Sequence, residues 1–136
     1  MTSGTERARR AYLDSSALIK LVGRESESDV LRLVVKGLSS QASSELAVVE
    51  VRRRARHLGE AAHERAREVL RRTLLRPIDS ETLERAAELD PIGLRSLDAI
   101  HLATALSLDE LDVFISYDRR INQAAAAAGL NVEAPA

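Results

Sequence analysis

The stretch Ala11-Tyr-Leu-Asp-Ser-Ser-Ala-Leu-Ile-Lys-Leu-Val22 joins a short apolar strand to a helix with no loop between them. Asp14 stands where the strand ends and the helix begins. A strand that leads directly into a helix is typical of α/β folds, in which such units build a parallel sheet. The stretch therefore predicts a parallel sheet with Asp14 at its carboxyl edge, where open α/β folds bind their ligands.

The rest of the chain repeats the alternation of strands and helices. Asp112-Val-Phe-Ile-Ser116 is the clearest strand, and Leu97 to Leu106 reads as a helix so apolar that it should be buried. Ser26 and Ser80 are candidate N-caps of two further helices. The other predicted helices cover residues 44–57, 61–74 and 119–128, and the other strands residues 40–42, 76–79 and 130–133. We therefore expect an α/β sandwich with a mainly parallel central sheet.

The bulk properties describe one ordinary globular domain. A chain of 136 residues is one domain's worth, and we expect residues 1–10 to be a flexible, polar lead-in to a single domain over residues 11–135. The absence of cysteine excludes disulfides and thiolate metal sites and fits a cytoplasmic location. The most apolar N-terminal run is interrupted by Asp14 and Lys20, so we predict no membrane span.

The charge pattern bears on nucleic-acid binding. The net charge of −1 argues against binding nucleic acid through bulk positive charge. Arginines nevertheless occur in clusters, and the pair Arg119–Arg120 is either a solvated helix face or a rim that binds RNA phosphates. Only three aromatic residues are present, which argues against a platform on which bases stack.

Four acids stand out by position. Asp14 and Asp118 each follow a predicted strand, Asp98 lies in the first turn of the apolar helix, and Glu50 lies beside the apolar stripe of its helix. Each acid has a structural explanation on its own. Asp98 could complement a helix dipole, Asp118 could be an N-cap, and Glu50 could pair with Arg54. Asp14 is the hardest to explain in this way, because a lone carboxylate buried at a strand end is costly to desolvate.

Taken together, the four carboxylates suggest a site for a hard cation. With no cysteine and few histidines, oxygen ligands favour Mg²⁺ or Mn²⁺ over zinc. A bound cation would also offset the repulsion between neighbouring carboxylates.

Four segments resemble, in order, the motifs of PIN-domain ribonucleases, in particular the VapC toxins of bacterial toxin–antitoxin pairs. These segments are Tyr12-Leu-Asp-Ser-Ser-Ala-Leu-Ile-Lys-Leu21, Ser43-Ser-Glu-Leu-Ala-Val-Val-Glu-Val51, Leu97-Asp-Ala-Ile-His-Leu-Ala-Thr-Ala-Leu106, and Phe114-Ile-Ser-Tyr-Asp-Arg-Arg-Ile121 with Gly129-Leu-Asn-Val132. The resemblance spans residues 11–135 and implies a PIN-like three-layer sandwich. It places the second acid at Glu50, with Glu45 as the alternative five residues earlier.

The resemblance implies an endoribonuclease whose acids bind one or two Mg²⁺ or Mn²⁺ ions, with Asp14 and Asp98 as the principal ligands. The full set of implied acids is Asp14, Glu50, Asp98 and Asp118. Ser116 matches a hydroxyl that orients an acid, and Ser15 matches a similar one after the first aspartate. The implied partners are a structured RNA such as tRNA or rRNA, a second copy in a homodimer, and a VapB-type antitoxin that wraps the groove beside the site.

Other functions fit the residues less well. An aspartyl phosphatase of the haloacid-dehalogenase pattern needs a second aspartate at position 16, where the chain has Ser16. No phosphate-binding Gly-x-x-x-x-Gly-Lys stretch is present. An inactive PIN-like module that binds RNA or protein is the remaining alternative, although the intact acid set argues against it. His101, one turn after Asp98, is expected to be a hydrogen-bonded core residue rather than a ligand.

Overall fold

The computed structural model describes residues 8–136, which form strands and helices that alternate along most of the chain. The strands are β1 (Arg10–Leu13), β2 (Ser40–Ser44), β3 (Leu74–Arg76), β4 (Val113–Ile115) and β5 (Val132–Glu133). The helices are α1 (Ser15–Val22), α2 (Ser28–Lys36), α3 (Leu46–Leu58), α4 (Glu60–Arg71), α5 (Ser80–Ala87), α6 (Ser96–Leu106) and α7 (Arg119–Ala127).

The strands form one sheet in the order β3-β2-β1-β4-β5. Every pairing among the described residues is parallel, which confirms the predicted sheet. In the central register, Tyr12 of β1 lies between Ala42 of β2 and Phe114 of β4. The chain adds β2 and β3 on one side of β1 and then β4 and β5 on the other. The crevice between the carboxyl ends of β1 and β4 is therefore the topological switch point.

Side chains along β1 and β4 point alternately to the two faces of the sheet, and this alternation divides the core into two layers. One set of side chains packs with α1, α3 and α4: Ala11, Leu13, Val113 and Ile115. Tyr12 and Phe114 point to the other face, where they pack with α6 and α7. Their rings stack with centroids 5.5 Å apart and an interplanar angle of 3°. The result is the predicted sandwich of helices, sheet and helices, with α6 buried along most of its length as expected.

Two predicted helix starts were wrong. The N-cap of α2 is Glu27 rather than Ser26, and the helix begins at Ser28, whose hydroxyl accepts from the Glu25 N–H (3.0 Å) and donates to the Lys20 carbonyl (2.7 Å). The N-cap of α5 is Asp79 rather than Ser80, since the Asp79 carboxylate accepts from the backbone N–H of the third helical residue at 2.9 Å.

The N-terminal boundary also differs from the prediction. Residues 1–7 of the predicted lead-in lie outside the described residues. Arg10 is already the first residue of β1, and the Arg9 guanidinium donates two hydrogen bonds to Glu133 of β5 at 2.6 and 3.1 Å. Across residues 8–136, no helix has the length and apolar character needed to cross a membrane.

Gly59 joins α3 to α4 with φ of 100° and ψ of −178°, a conformation that side chains disfavour. No atom lies within 4 Å of a Cβ built at this position, so the backbone alone sets the cost of a substitution. We expect Gly59→Ala to lower the free energy of unfolding by about 1–3 kcal/mol, measured by urea denaturation.

Gly93→Ala is the matched control, because its Cβ also enters open space and its φ lies outside the positive range. It should change stability by less than about 0.5 kcal/mol. Equal stabilities of the two variants would contradict a backbone requirement at Gly59.

Candidate metal-binding acidic site

Asp14 occupies the carboxyl end of the central strand and exposes only 3% of its surface. It is the N-cap of α1: its Oδ1 accepts from the Ala17 N–H at 3.1 Å and from the Ser16 hydroxyl at 2.6 Å. Its Oδ2 accepts from the Ser116 hydroxyl at 2.6 Å. Burial raises the pKa of Asp14, and these hydrogen bonds act in the opposite direction. The protein itself therefore offsets part of the desolvation cost that made Asp14 hard to explain from sequence.

Two serine hydroxyls hold the loop between β4 and α7 against Asp14. Ser116 Oγ donates to Asp14 and also accepts from the Asp118 N–H at 3.0 Å. Ser16 Oγ accepts from the Tyr117 N–H at 2.9 Å. The prediction of Ser15 as the second orienting hydroxyl is wrong. An N-cap side chain faces the second and third residues of its helix, and the second residue after Asp14 is Ser16.

Asp98 is half-buried in the first turn of α6, and no hydrogen-bond donor among residues 8–136 reaches its carboxylate. Burial raises the pKa of Asp98. The negative charges of Asp118 and Asp14 raise it further, whereas His101 and Arg95 act in the opposite direction. Asp98 is therefore close enough to Asp118 and Asp14 for their charges to disfavour its ionisation.

Asp118 follows β4 and is the N-cap of α7, where its Oδ1 accepts from the Arg120 N–H at 2.9 Å. Asp118 is thus both the N-cap that the sequence allowed and a neighbour of Asp98. Arg119 and Arg120 are exposed in the first turn of the same helix. Neither side chain forms an ion pair within the described residues, so both remain available to anions that approach the acids.

Glu50 lies on α3, on the opposite layer of the sandwich from α6. Its Oε1 lies 2.8 Å from Nε2 of His101, so the ion pair with Arg54 that the sequence allowed is replaced by this contact. His101 is 1% exposed, and its Nδ1 lies 2.7 Å from the Tyr12 hydroxyl. Burial raises the pKa of Tyr12 far above its ordinary value, and the charges of Asp14 and Glu50 add to this effect.

The hydrogen-bonded core role predicted for His101 is therefore confirmed. Its contact with Glu50 was missed, because no local spacing relates residues that are 51 positions apart in the chain. Glu45, the alternative second acid, occupies a different position. Glu45 is exposed, and its Oε1 accepts from the Ile78 N–H at 3.3 Å, on the side of β2 that faces β3.

The donor set fits a hard divalent cation, although its side chains are not arranged as a finished ligand shell. Within residues 8–136, no three His, Cys, Asp or Glu side chains converge at metal-ligand spacing. Asp14 and Asp118 are held by hydrogen bonds to neighbouring groups, whereas the Asp98 carboxylate accepts none from residues 8–136. Carboxylate oxygens without thiolates suit Mg²⁺ or Mn²⁺, and the unbalanced negative charge at Asp98 is what such a cation would neutralise.

Comparisons with known proteins agree on the fold. A family model described as PIN domain matches residues 11–127. Ribonuclease VapC46 of Mycobacterium tuberculosis is 44% identical over 125 residues, which cover 91% of this chain and 96% of that protein. The crystal structure of VapC20 from Mycobacterium tuberculosis, a sarcin–ricin loop cleaving toxin, matches with a TM-score of 0.71 at 16% identity and covers 92% of this chain and 99% of its own.

A further solved structure is a complex. VapBC2 from Rickettsia felis, bound to a DNA fragment from its promoter, contains a chain that matches with a TM-score of 0.64 at 12% identity. The match covers 93% of this chain and 99% of that one.

Asp98→Asn should stabilise the metal-free protein at neutral pH. Because the folded state raises the pKa of Asp98, the folded protein holds this proton more tightly than the unfolded chain does. Ionised Asp98 therefore lowers stability above the folded-state pKa, and this cost disappears as the pH falls below the unfolded-state value of about 3.9. We expect a gain of roughly 0.2–1 kcal/mol at pH 7, measured by urea denaturation in EDTA.

The gain in stability of Asp98→Asn should shrink towards zero near pH 3. Asp109→Asn is the control, since Asp109 is exposed on the loop that follows α6, and its stability should follow the wild type at both pH values. A loss of stability in Asp98→Asn at pH 7 would show that the carboxylate is structural.

Proposed function

We propose that this chain, which belongs to the PIN-domain family and within it to the VapC group, is the toxin of a toxin–antitoxin pair. Its proposed activity is that of an endoribonuclease that depends on Mg²⁺ or Mn²⁺. The observation that carries the proposal is the gathering of Asp14, Asp98 and Asp118 at the switch point of the sheet, where their charges repel. The ribonuclease activity named for VapC46 supports RNA as the substrate.

Asp14 and Asp98 are the proposed principal metal ligands, assisted by Asp118 and Glu50. A bound cation would supply charge stabilisation at the scissile phosphate and lower the pKa of the attacking water. The protein's own part is positional. The hydroxyls of Ser16 and Ser116 fix both oxygens of the Asp14 carboxylate, and this restraint argues against Asp14 as a nucleophile.

The proposed RNA contact beside the acids is made by Arg119 and Arg120. Both project from the first turn of the helix that Asp118 caps, so a phosphate held by them would lie next to the acidic site. With only three aromatic residues in the chain, recognition is proposed to depend on the shape of a structured RNA rather than on base stacking. VapC20, which shares the fold, is named as a toxin that cleaves the sarcin–ricin loop.

The proposed partner is a VapB-type antitoxin, in line with the VapBC2 complex that shares the fold. A homodimer and a cytoplasmic location stay predictions from the sequence. The competing function is an inactive PIN-like module that binds RNA or protein without cleaving it. The retention of all four acids together with the hydroxyls that position Asp14 favours the enzyme.

Cleavage of structured RNA by the antitoxin-free protein should require a divalent cation. We expect activity with Mg²⁺ or Mn²⁺, none in EDTA, and recovery when Mn²⁺ is added back. Asp14→Asn and Asp98→Asn should each lower the cleavage rate by at least about 100-fold, because each removes a proposed ligand. The measurement is gel analysis of labelled RNA under single-turnover conditions.

Asp109→Asn serves again as the control and should cleave at the wild-type rate. Binding of RNA without cleavage by a folded wild-type protein, with either metal, would favour the inactive module. Wild-type rates in either acid variant would remove that acid from the proposed ligand set.

Reversing both charges in Arg119→Glu/Arg120→Glu should weaken RNA binding and flatten its dependence on salt. Each arginine that neutralises a phosphate contributes about 0.7–0.9 to the slope of log K against log salt. The measurement is a titration of catalytically silent Asp14→Asn protein with labelled RNA at several salt concentrations.

The charge-matched control is Arg71→Glu/Arg72→Glu. These residues precede β3 and so lie at the amino edge of the sheet, opposite the acids. The control should retain the binding and the salt slope of the parent protein. Equal losses in the two double variants would indicate a bulk charge effect rather than a rim beside the site.

A further inference from the structure

A buried chain of hydrogen bonds runs from β1 through α6 to α3. The Tyr12 hydroxyl lies 2.7 Å from His101 Nδ1, and His101 Nε2 lies 2.8 Å from Glu50 Oε1. Tyr12 and His101 are 0% and 1% exposed, and their rings meet edge to face with centroids 5.9 Å apart. Stacking on Phe114 fixes the Tyr12 ring in turn, so the imidazole has little freedom to turn.

The partners fix the direction of the bond to Glu50. The Glu50 carboxylate can only accept, so His101 Nε2 carries a hydrogen and donates it. The Tyr12 hydroxyl can donate to Nδ1 or accept from it, so this second bond forms whether or not Nδ1 carries a hydrogen. The bond from Nε2 points one oxygen of Glu50 at the imidazole.

This series of hydrogen bonds connects Glu50 to the elements that carry the other acids. Tyr12 lies two residues before Asp14, and His101 lies one helical turn after Asp98, so both intermediates are fixed to the elements that carry the aspartates. Glu50 comes from the opposite helical layer, and its side chain is 23% exposed. The bond to His101 is the only hydrogen bond of the Glu50 carboxylate among residues 8–136. Without it, the carboxylate would gain rotamer freedom.

We propose that His101 is a positioning residue that holds the Glu50 carboxylate in register with Asp14 and Asp98 for binding a divalent cation. The inference rests on the proposed function, because it assumes that Glu50 takes part in the metal site. His101 acts through Glu50 and does not itself bind the cation. Neighbouring groups that orient ligands in this way typically change metal affinity by about 10–100-fold when they are removed.

The test is Mn²⁺ binding, measured by isothermal titration calorimetry without RNA, at a temperature at which circular dichroism shows every variant to be folded. His101→Leu, which cannot donate to Glu50, should weaken Mn²⁺ binding about 10–100-fold. His101→Gln keeps a side-chain N–H donor and should recover part of this loss. Tyr12→Phe keeps the stacked ring but removes the hydroxyl, so it should show a smaller loss.

A double-mutant cycle separates positioning from general damage to the fold. In the Glu50→Ala background, adding His101→Leu should change Mn²⁺ affinity by less than about 2-fold, because the group through which His101 acts is already absent. The same loss in both backgrounds would overturn the inference. Unchanged binding in Glu50→Ala would overturn it as well, since Glu50 would then have no part in the site.

The wild-type protein distinguishes this inference from the proposed function. A wild type that binds no Mn²⁺ and cleaves no RNA overturns both. If the wild type binds Mn²⁺ and His101→Gln, Tyr12→Phe and His101→Leu bind it equally tightly, the role of His101 alone is overturned. If His101→Leu does not fold, the comparison of the other two variants with the wild type decides the result.

Discussion

The hydrogen bond from the Ser116 hydroxyl to the buried Asp14 carboxylate joins the carboxyl ends of β1 and β4, and the acidic site depends on it. The same hydroxyl accepts from the Asp118 backbone, and Ser16 holds the other oxygen of Asp14 from α1. One carboxylate therefore caps α1 and fixes the loop that leads into α7. Removing its hydrogen-bond partners would leave a charge buried in the protein interior, which is a costly state.

The site concentrates negative charge that the fold neutralises only in part. Asp98 has no hydrogen-bond donor among residues 8–136, and both Asp14 and Asp118 raise its pKa. A protein selected only for stability would avoid this arrangement, because the like charges repel and burial penalises each of them. Local conflicts of this kind are expected where function sets the sequence. Here the conflict lies at the switch point of a parallel sheet, the position at which α/β folds bind ligands.

The proposed acids belong to both helical layers. Asp98 belongs to α6, which packs on the face of Tyr12 and Phe114, whereas Glu50 belongs to α3 on the other face. His101 connects the two layers, because it contacts Tyr12 through one ring nitrogen and Glu50 through the other. The integrity of the core and the geometry of the acids are therefore linked, because the imidazole serves as a packed core residue and as the neighbour of Glu50 at the same time.

The sequence by itself determined the alternation of strands and helices, the burial of α6, and the positions of Asp14 and Asp118 at the sheet edge. These features follow from apolar periodicity and from chain adjacency, which are local. Only the tertiary structure decided the strand order, the choice of Ser16 over Ser15 beside Asp14, and the contact between Glu50 and His101. The physical reason is that these contacts depend on how separate elements pack in three dimensions, and side chains distant in sequence meet only when the packed layers bring them together.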